Sequence, residues 1–206
     1  ERARKEWNIH LPENPVSNVR KPKRPQGRMR RLLPGEEARL LQAFRCEAQP
    51  GKHGGRGGKV HRPRNQWMEA AFILALETAM RRGELLGLRW ADVDFEMGFA
   101  TLHETKNGDV RQVPLTPRAL GLLEVLPEAP DGRVIPLSAE ALQQAWKRAV
   151  RRAEQSYLED CRQNGIDPDP RMFNDLRWHD LRHEATSRLT VIPLIYLREV
   201  LDVPTS

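Results

Sequence analysis

The chain predicts a mainly helical α+β domain with a small antiparallel β-sheet. Three observations carry that prediction. Apolar residues recur at helical spacing over several long stretches. Between Asp92 and Leu115 the pattern changes to short alternating runs punctuated by Gly98 and Asn107-Gly108, the signal of an antiparallel hairpin or three-stranded sheet. The 206 residues are 39% hydrophobic and 30% charged, which suits one packed core. The longest uninterrupted apolar run, Ala70 to Leu76, falls far short of the roughly 20 residues a membrane-spanning helix needs. A formal net charge of +6 points to a polyanionic partner, although a solvated basic face would give the same sum. Cys46 and Cys161 are the only cysteines and stand in no Cys-x-x-Cys spacing. Neither a disulfide framework nor a cysteine zinc site is expected, and a reducing cytoplasm fits.

The chain opens at Glu1 without an initiator methionine, and Glu1 to Trp7 reads as the end of a helix already under way, so an upstream portion is expected. Pro12, Pro15, Pro22 and Pro25 then interrupt the sequence. Proline restricts both itself and the residue before it, which makes residues 8–27 an extended linker. Arg20, Lys21, Lys23, Arg24, Arg28, Arg30 and Arg31 place seven positive charges within twelve residues, enough for several phosphate contacts along a duplex. Leu33-Pro34-Gly35-Glu36-Glu37 starts a helix running to about Phe44, with proline near its first position and acids in its first turn. Gly51, Gly54, Gly55, Gly57 and Gly58 stand among Lys, His and Arg. No strand precedes them and no Gly-Lys-Ser/Thr closes them, so residues 50–63 are expected to be a mobile basic loop and not a phosphate loop.

Asn65 to Ala79 is the most apolar helix and is expected to be buried, delivering Arg81 at its carboxyl end beside Arg82 and Glu84. Glu84 is suited to hold a guanidinium or a nearby backbone amide. The expected sheet follows and puts Lys106 at a hairpin tip, Thr105-Lys106-Asn107-Gly108. Pro117 to Leu126 and Ser138 to about Asp160 are two further helices. In the second, Leu142, Trp146, Ala149 and Ala153 form an apolar stripe, and Lys147, Arg148, Arg151 and Arg152 occupy the other side. That basic side is either a solvated face or a surface that tracks a nucleic-acid backbone without reading bases.

The chemistry concentrates in Trp178-His179-Asp180-Leu181-Arg182-His183. On a helix, residues three apart share a face, so His179 and Arg182 would place a titratable base and a cation at one site. The planar guanidinium of Arg182 suits a charged oxyanion such as a phosphodiester, His179 can move a proton, and Arg81 would supply a second guanidinium. His179 and His183 are four apart and could also ligate zinc on one face, but Asp180 stands where metalloprotease helices carry Glu and no third ligand is evident.

Thr78-Ala79-Met80-Arg81-Arg82-Gly83-Glu84-Leu85 and His179-Asp180-Leu181-Arg182-His183 resemble the two arginine boxes of the tyrosine recombinase (phage integrase) family, and the resemblance runs from about Asn14 to Leu189. It implies a catalytic set of Arg81, Lys106, His179 and Arg182, supported by Glu84. Arg81 is chosen over Arg82 because the family's arginine directly follows the Leu/Met position, here Met80. Lys106 would protonate the leaving 5′ oxygen, His179 would assist the nucleophile, and the two arginines would neutralise the phosphate. The resemblance divides the chain into a remnant of a DNA-clamping domain with its basic linker (1–28) and a catalytic domain (29–206) truncated at its carboxyl end. It implies site-specific recombination through a phosphotyrosyl intermediate, with duplex DNA and other recombinase protomers as partners, a tetramer in the family, and no cofactor or metal. Arg20, Lys21, Lys23 and Arg24 of the linker, with Lys147, Arg148, Arg151 and Arg152, become the expected DNA contacts.

The family's third box is degenerate here: Asp202-Val203 stands where Gly-His would. Tyr196 is the only tyrosine after the second box, 14 residues beyond Arg182, and Pro193 interrupts the helix before it. The expected nucleophile is therefore unassigned, through truncation, an altered tail or residues missing after Leu189. The competing expectation is a catalytically inactive DNA-binding remnant or regulator; a metal-dependent hydrolase built on His179 and His183 is the third.

Overall fold

Phe72 of a buried central helix meets Phe44 at a tilt, 5.3 Å away, and stacks on Trp146, 6.0 Å away, and Trp146 meets the edge of Trp178 at 5.4 Å. This aromatic row is the middle of the core in the computed structural model, which describes residues 5–7, 19–20, 27–45, 66–103 and 110–189. Among these the element order is α1 (Glu36–Arg45), α2 (Gln66–Thr78), α3 (Arg82–Gly87), a 3₁₀ turn (Trp90–Asp92), β1 (Val93–Asp94), β2 (Phe99–Leu102), β3 (Arg111–Pro114), α4 (Pro117–Val125), α5 (Ala139–Asn164) and α6 (180–189). The predicted α+β class, mainly helical with one small antiparallel sheet, is the class observed.

Helix α2 is apolar all round because it is enclosed by α1, α4 and α5, the condition under which a helix needs no polar face. Every residue from Ala70 to Leu76 is buried. Each large side chain there contributes about 1.5–3 kcal/mol relative to exposure, so the helix is a rigid platform. Helices α4 and α5 start at side-chain caps: the Thr116 hydroxyl accepts the Ala119 N–H at 3.2 Å and the Ser138 hydroxyl accepts the Ala141 N–H at 3.1 Å. Such caps satisfy amides that the helix itself leaves open. Helix α5 runs to Asn164, past the expected end near Asp160, and stops at Gly165 in the left-handed conformation at φ 64°, where glycine meets no steric penalty.

The sheet order is β1-β2-β3, antiparallel throughout, with Ala100 opposite Val113 and Leu102 opposite Arg111. Ala100, Leu102, Val113 and Leu115 face the core. Alternation then places Arg111 on the same side of β3 as Val113. Among the described residues no helix is long and apolar enough to cross a membrane. Lys106, Lys21, Lys23, Arg24, the glycine-rich stretch 50–63 and residues 190–206, with Tyr196, lie outside the described residues.

Two sequence expectations need correction. Arg81 does not sit at the carboxyl end of the apolar helix. Helix α2 stops at Thr78, Ala79 adopts a left-handed φ of 52°, and Arg81 is the N-cap of α3. The break is supported locally, since the Thr78 hydroxyl donates to Leu74 O at 2.6 Å and accepts the Met80 N–H at 3.3 Å. A non-glycine residue held at positive φ is strained and persists only when its surroundings fix it.

The second correction concerns the basic strip, whose last three arginines are committed internally. The Arg28 guanidinium forks onto Asp180, Nε to Oδ1 at 2.5 Å and Nη2 to Oδ2 at 2.8 Å, and also reaches Asp175 at 2.5 Å. Arg30 pairs with Glu36 at 2.5 Å and Arg31 with Glu184 at 2.8 Å. Asp180 and Glu36 are fully enclosed, with side-chain exposure of 0%. A buried carboxylate needs a cation or several N–H donors. Residues 28–33 supply both, because the Leu32 and Leu33 amides also donate to Glu184 and Glu36, at 3.2 and 2.7 Å. The segment therefore straps α6 to α1. Of the remaining strip, Arg20 is exposed.

Because Asp180 is buried, Arg28→Ala leaves its charge short of a partner and is expected to cost about 2 kcal/mol or more of folding stability. Arg20→Ala is expected to change stability by less than about 0.5 kcal/mol. Chemical denaturation of the two variants checks this, and equal losses would contradict the strap.

Candidate active site

The site is assembled on one carboxylate. Glu84 lies in the first turn of α3 with its side chain 4% exposed. Its Oε2 accepts the Arg81 backbone N–H at 2.7 Å, the returning half of an N-terminal capping box. Its Oε1 accepts Arg81 Nη1 at 2.7 Å, and Oε2 also accepts Arg111 Nη2 at 2.7 Å. Arg182 Nη1 stands 3.8 Å from the same Oε2 and donates instead to the carbonyl of Ala79, at 2.5 Å. The left-handed turn at Ala79 thus lends its carbonyl to the second box.

Three guanidiniums surround one buried acid, with side-chain exposures of 43% for Arg81, 37% for Arg111 and 27% for Arg182. Among the described residues one negative charge against three positive leaves a local surplus. Burial alone would raise the Glu84 carboxyl. The hydrogen bonds from the Arg81 amide and guanidinium and from Arg111 outweigh it and hold Glu84 below the usual carboxylate range. Arg182 is lowered from the ordinary arginine value, first by burial and then by Arg81 and Arg111, with Glu84 opposing. It remains a cation at neutral pH. A planar guanidinium pushed against its own kind is a strong binder of a bidentate oxyanion.

His179 occupies the turn before α6 and is not part of the helix, which starts at Asp180. The Arg182 N–H still reaches its carbonyl at 3.2 Å, so the three-residue spacing holds within the first turn. Asp180 fixes that turn from below by accepting the Arg177 N–H at 2.8 Å. Burial lowers the His179 imidazole first, and the positive charges of His183, Arg182 and Arg81 lower it further, with Asp180 opposing. The shift favours the neutral ring, the form that can accept a proton. The His179 and His183 rings meet edge to face at 5.3 Å. Among the described residues no group of three or more His, Cys, Asp or Glu is placed to hold a metal.

Arg82, the neighbour set aside in favour of Arg81, is exposed and points away, its Nη1 3.5 Å from Gln143 Oε1 on α5. That contact sets the start of α5 beside the site. Lys147 and Arg151 follow Gln143 at four-residue steps and are exposed, as is Arg148, so a basic row leads away from the cluster along one helix side. Arg152 departs from this row: it is half-buried and its enclosed Nε finds no acceptor. Sequence reasoning missed Arg111 altogether. The available signal was its alternation with Val113 and Leu115, which puts an arginine on the core-facing side of a strand.

The fold is integrase-like. Over 88% of its length the chain is similar to a lambda integrase dimer bound to a COC′ core site, at TM-score 0.52 and 22% identity, covering 59% of that chain. Over 87% it is similar to the Tn1549 transposon integrase in complex with transposon right end DNA, at TM-score 0.52 and 20% identity, covering 58% of that chain. The sequence then gives the family: the phage integrase family model matches residues 58–191, and the chain belongs to that family. The shufflon-specific DNA recombinase of Escherichia coli is 38% identical over 198 residues, 96% of this chain and 42% of that protein. The chain thus spans less than half the length of that relative.

The electrostatics of His179 give a direct check. Its titration midpoint, followed by NMR of the ring, is expected below the ordinary value of about 6.5 and should rise in Arg182→Ala, where one of the opposing charges is gone. A midpoint above the ordinary value, or a fall in the variant, would contradict the placement of Arg182 beside the ring.

Proposed function

We propose that this chain supplies the phosphate-activating part of a site-specific tyrosine recombinase, which breaks and rejoins DNA strands through a 3′-phosphotyrosyl intermediate. The observation that supports it is the convergence of Arg81 and Arg182, from boxes roughly a hundred residues apart, on Glu84 beside His179. In this reading the two guanidiniums take the non-bridging oxygens of the scissile phosphate and neutralise the charge that builds on them as the tyrosine attacks. His179 assists proton transfer at the attacking oxygen and Lys106 protonates the departing 5′ oxygen. The 5′ hydroxyl of a partner strand then displaces the tyrosine. Because the phosphotyrosyl link stores the energy of the phosphodiester bond it replaces, the reaction needs neither ATP nor metal.

The nucleophile in this reading follows the second box. Tyr157 is unsuited, since its hydroxyl accepts the Asp169 N–H at 2.8 Å, Arg39 lies over its ring at 5.3 Å and Phe173 packs against its edge. Duplex DNA is the proposed partner, with Lys147, Arg148 and Arg151 along its backbone, the linker's Arg20, Lys21, Lys23 and Arg24 next to it, and further protomers on the same DNA. Arg152 has a lesser part, being half enclosed. Residues 1–28 are proposed as the linker side of a DNA-clamping domain and 29–206 as catalytic domain, working in the cytoplasm where the DNA is.

The test uses the chain extended by a helix carrying the family's tyrosine, offered nicked duplexes drawn from a random-sequence pool. A denaturation-resistant protein–DNA adduct is expected that persists in EDTA. Arg81→Ala and Arg182→Ala should each reduce its yield by about a hundredfold or more, and Arg82→Ala by no more than about threefold. Greater damage from Arg82→Ala would reverse the reading of the first box. Cleavage that requires divalent metal and is lost in His183→Ala would make the site hydrolytic instead.

A further inference from the structure

Arg111 stands at a position of conflict. Its Nη2 takes Glu84 Oε2 at 2.7 Å, the oxygen that already holds the Arg81 amide at 2.7 Å and from which Arg182 is kept back at 3.8 Å. A carboxylate oxygen has two lone-pair sites, and both are filled. Arg182, next to a buried acid of opposite charge, thus donates instead to a neutral acceptor, the Ala79 carbonyl. Among the described residues the enclosed Nε of Arg111 has no acceptor, a cost that an arginine free to swing into solvent would avoid. The fold holds it there: β3 pairs Arg111 with Leu102, and its strand face is the one that carries Val113 into the core.

We propose that Arg111 is a positioning residue that occupies Glu84 so that Arg182 stays free for phosphate. The proposal rests on the reading of the cluster as a phosphate site and adds a residue to it. Without Arg111, Arg182 Nη1 stands 3.8 Å from the vacated oxygen, and a short rotation would close that gap into an ion pair. The carboxylate would then compete with the phosphate for the same guanidinium. Arg111 also adds the charge that keeps Glu84 from repelling an incoming anion. The role belongs to the strand and not to either box, because Arg111 reaches Oε2 from β3.

The experiment follows the arginine side-chain N–H signals of the folded chain by ¹⁵N NMR, before and during titration with inorganic phosphate. Before phosphate is added, Arg111→Ala should shift the Arg182 signal and slow rotation of its guanidinium, as expected of one that has closed on a carboxylate. Phosphate affinity should fall at least about fivefold, well beyond the effect of Arg82→Ala, which removes a charge of the same sign without touching Glu84. Glu84→Gln in the Arg111→Ala background keeps an acceptor oxygen for Arg81 but removes the competing charge, so both the Arg182 signal and the affinity should recover. Arg111→Lys, which retains a donor and the charge, should stay near the parent. An unchanged Arg182 signal in Arg111→Ala, or no recovery with Glu84→Gln, would overturn the positioning role while leaving the phosphate site in place. If phosphate moves neither Arg81 nor Arg182 in the parent chain, the site reading fails, and the inference with it.

Discussion

One buried carboxylate surrounded by arginines is the constraint on which the site depends. Glu84 cannot be left unpaired in its enclosed position, because an isolated buried charge is too costly. Its partners come from three separate parts of the chain: the turn after α2, strand β3 and helix α6. The same electrostatic necessity that stabilises Glu84 therefore brings the two boxes together, without any direct contact between Arg81 and Arg182. Like charges assembled in this way repel one another. Burial first, and that repulsion second, lower Arg182 and His179 from their ordinary values, and the uncompensated charge makes an anion the natural complement.

The rest of the fold repeats this device at a larger scale. Among the described residues Glu36, Glu84, Asp180 and Glu184 are buried acids, and each is met by arginine. Three of those arginines, Arg28, Arg30 and Arg31, belong to the strap that leads from the basic linker. Asp180 links the two systems, since it anchors Arg28 on one side and caps the turn holding His179 on the other. The rigidity of α2, enclosed on every side, gives both systems a fixed reference.

Much of this was legible in the sequence. Periodicity marks apolar faces well, so α1, α2, α4, α5 and the three-stranded sheet fell close to their observed bounds, and the spacing within each box was enough to identify the family. The break after Thr78 was not legible, because nothing in Thr-Ala-Met announces a left-handed alanine. It is imposed by hydrogen bonds of the Thr78 hydroxyl and by the use made of the Ala79 carbonyl. The strap and Arg111 were missed for a shared reason. A cation in a sequence reads as solvated or phosphate-facing by default, and whether it meets a buried carboxylate is settled only by distant residues. Asp180 and Glu184, four apart on the inward side of α6, were the hint that arginines would be drawn inside.

The most direct measurement of the central claim is the affinity for inorganic vanadate, a phosphate analogue, before and after Glu84→Ala, with folding checked by circular dichroism. Charge alone argues that deleting an acid from an anion site should tighten binding. If Glu84 is instead what orders Arg81 and Arg111 beside Arg182, the loss of that order outweighs the gain, and Glu84→Ala should bind vanadate more weakly while remaining folded. Tighter binding in the variant would contradict the account.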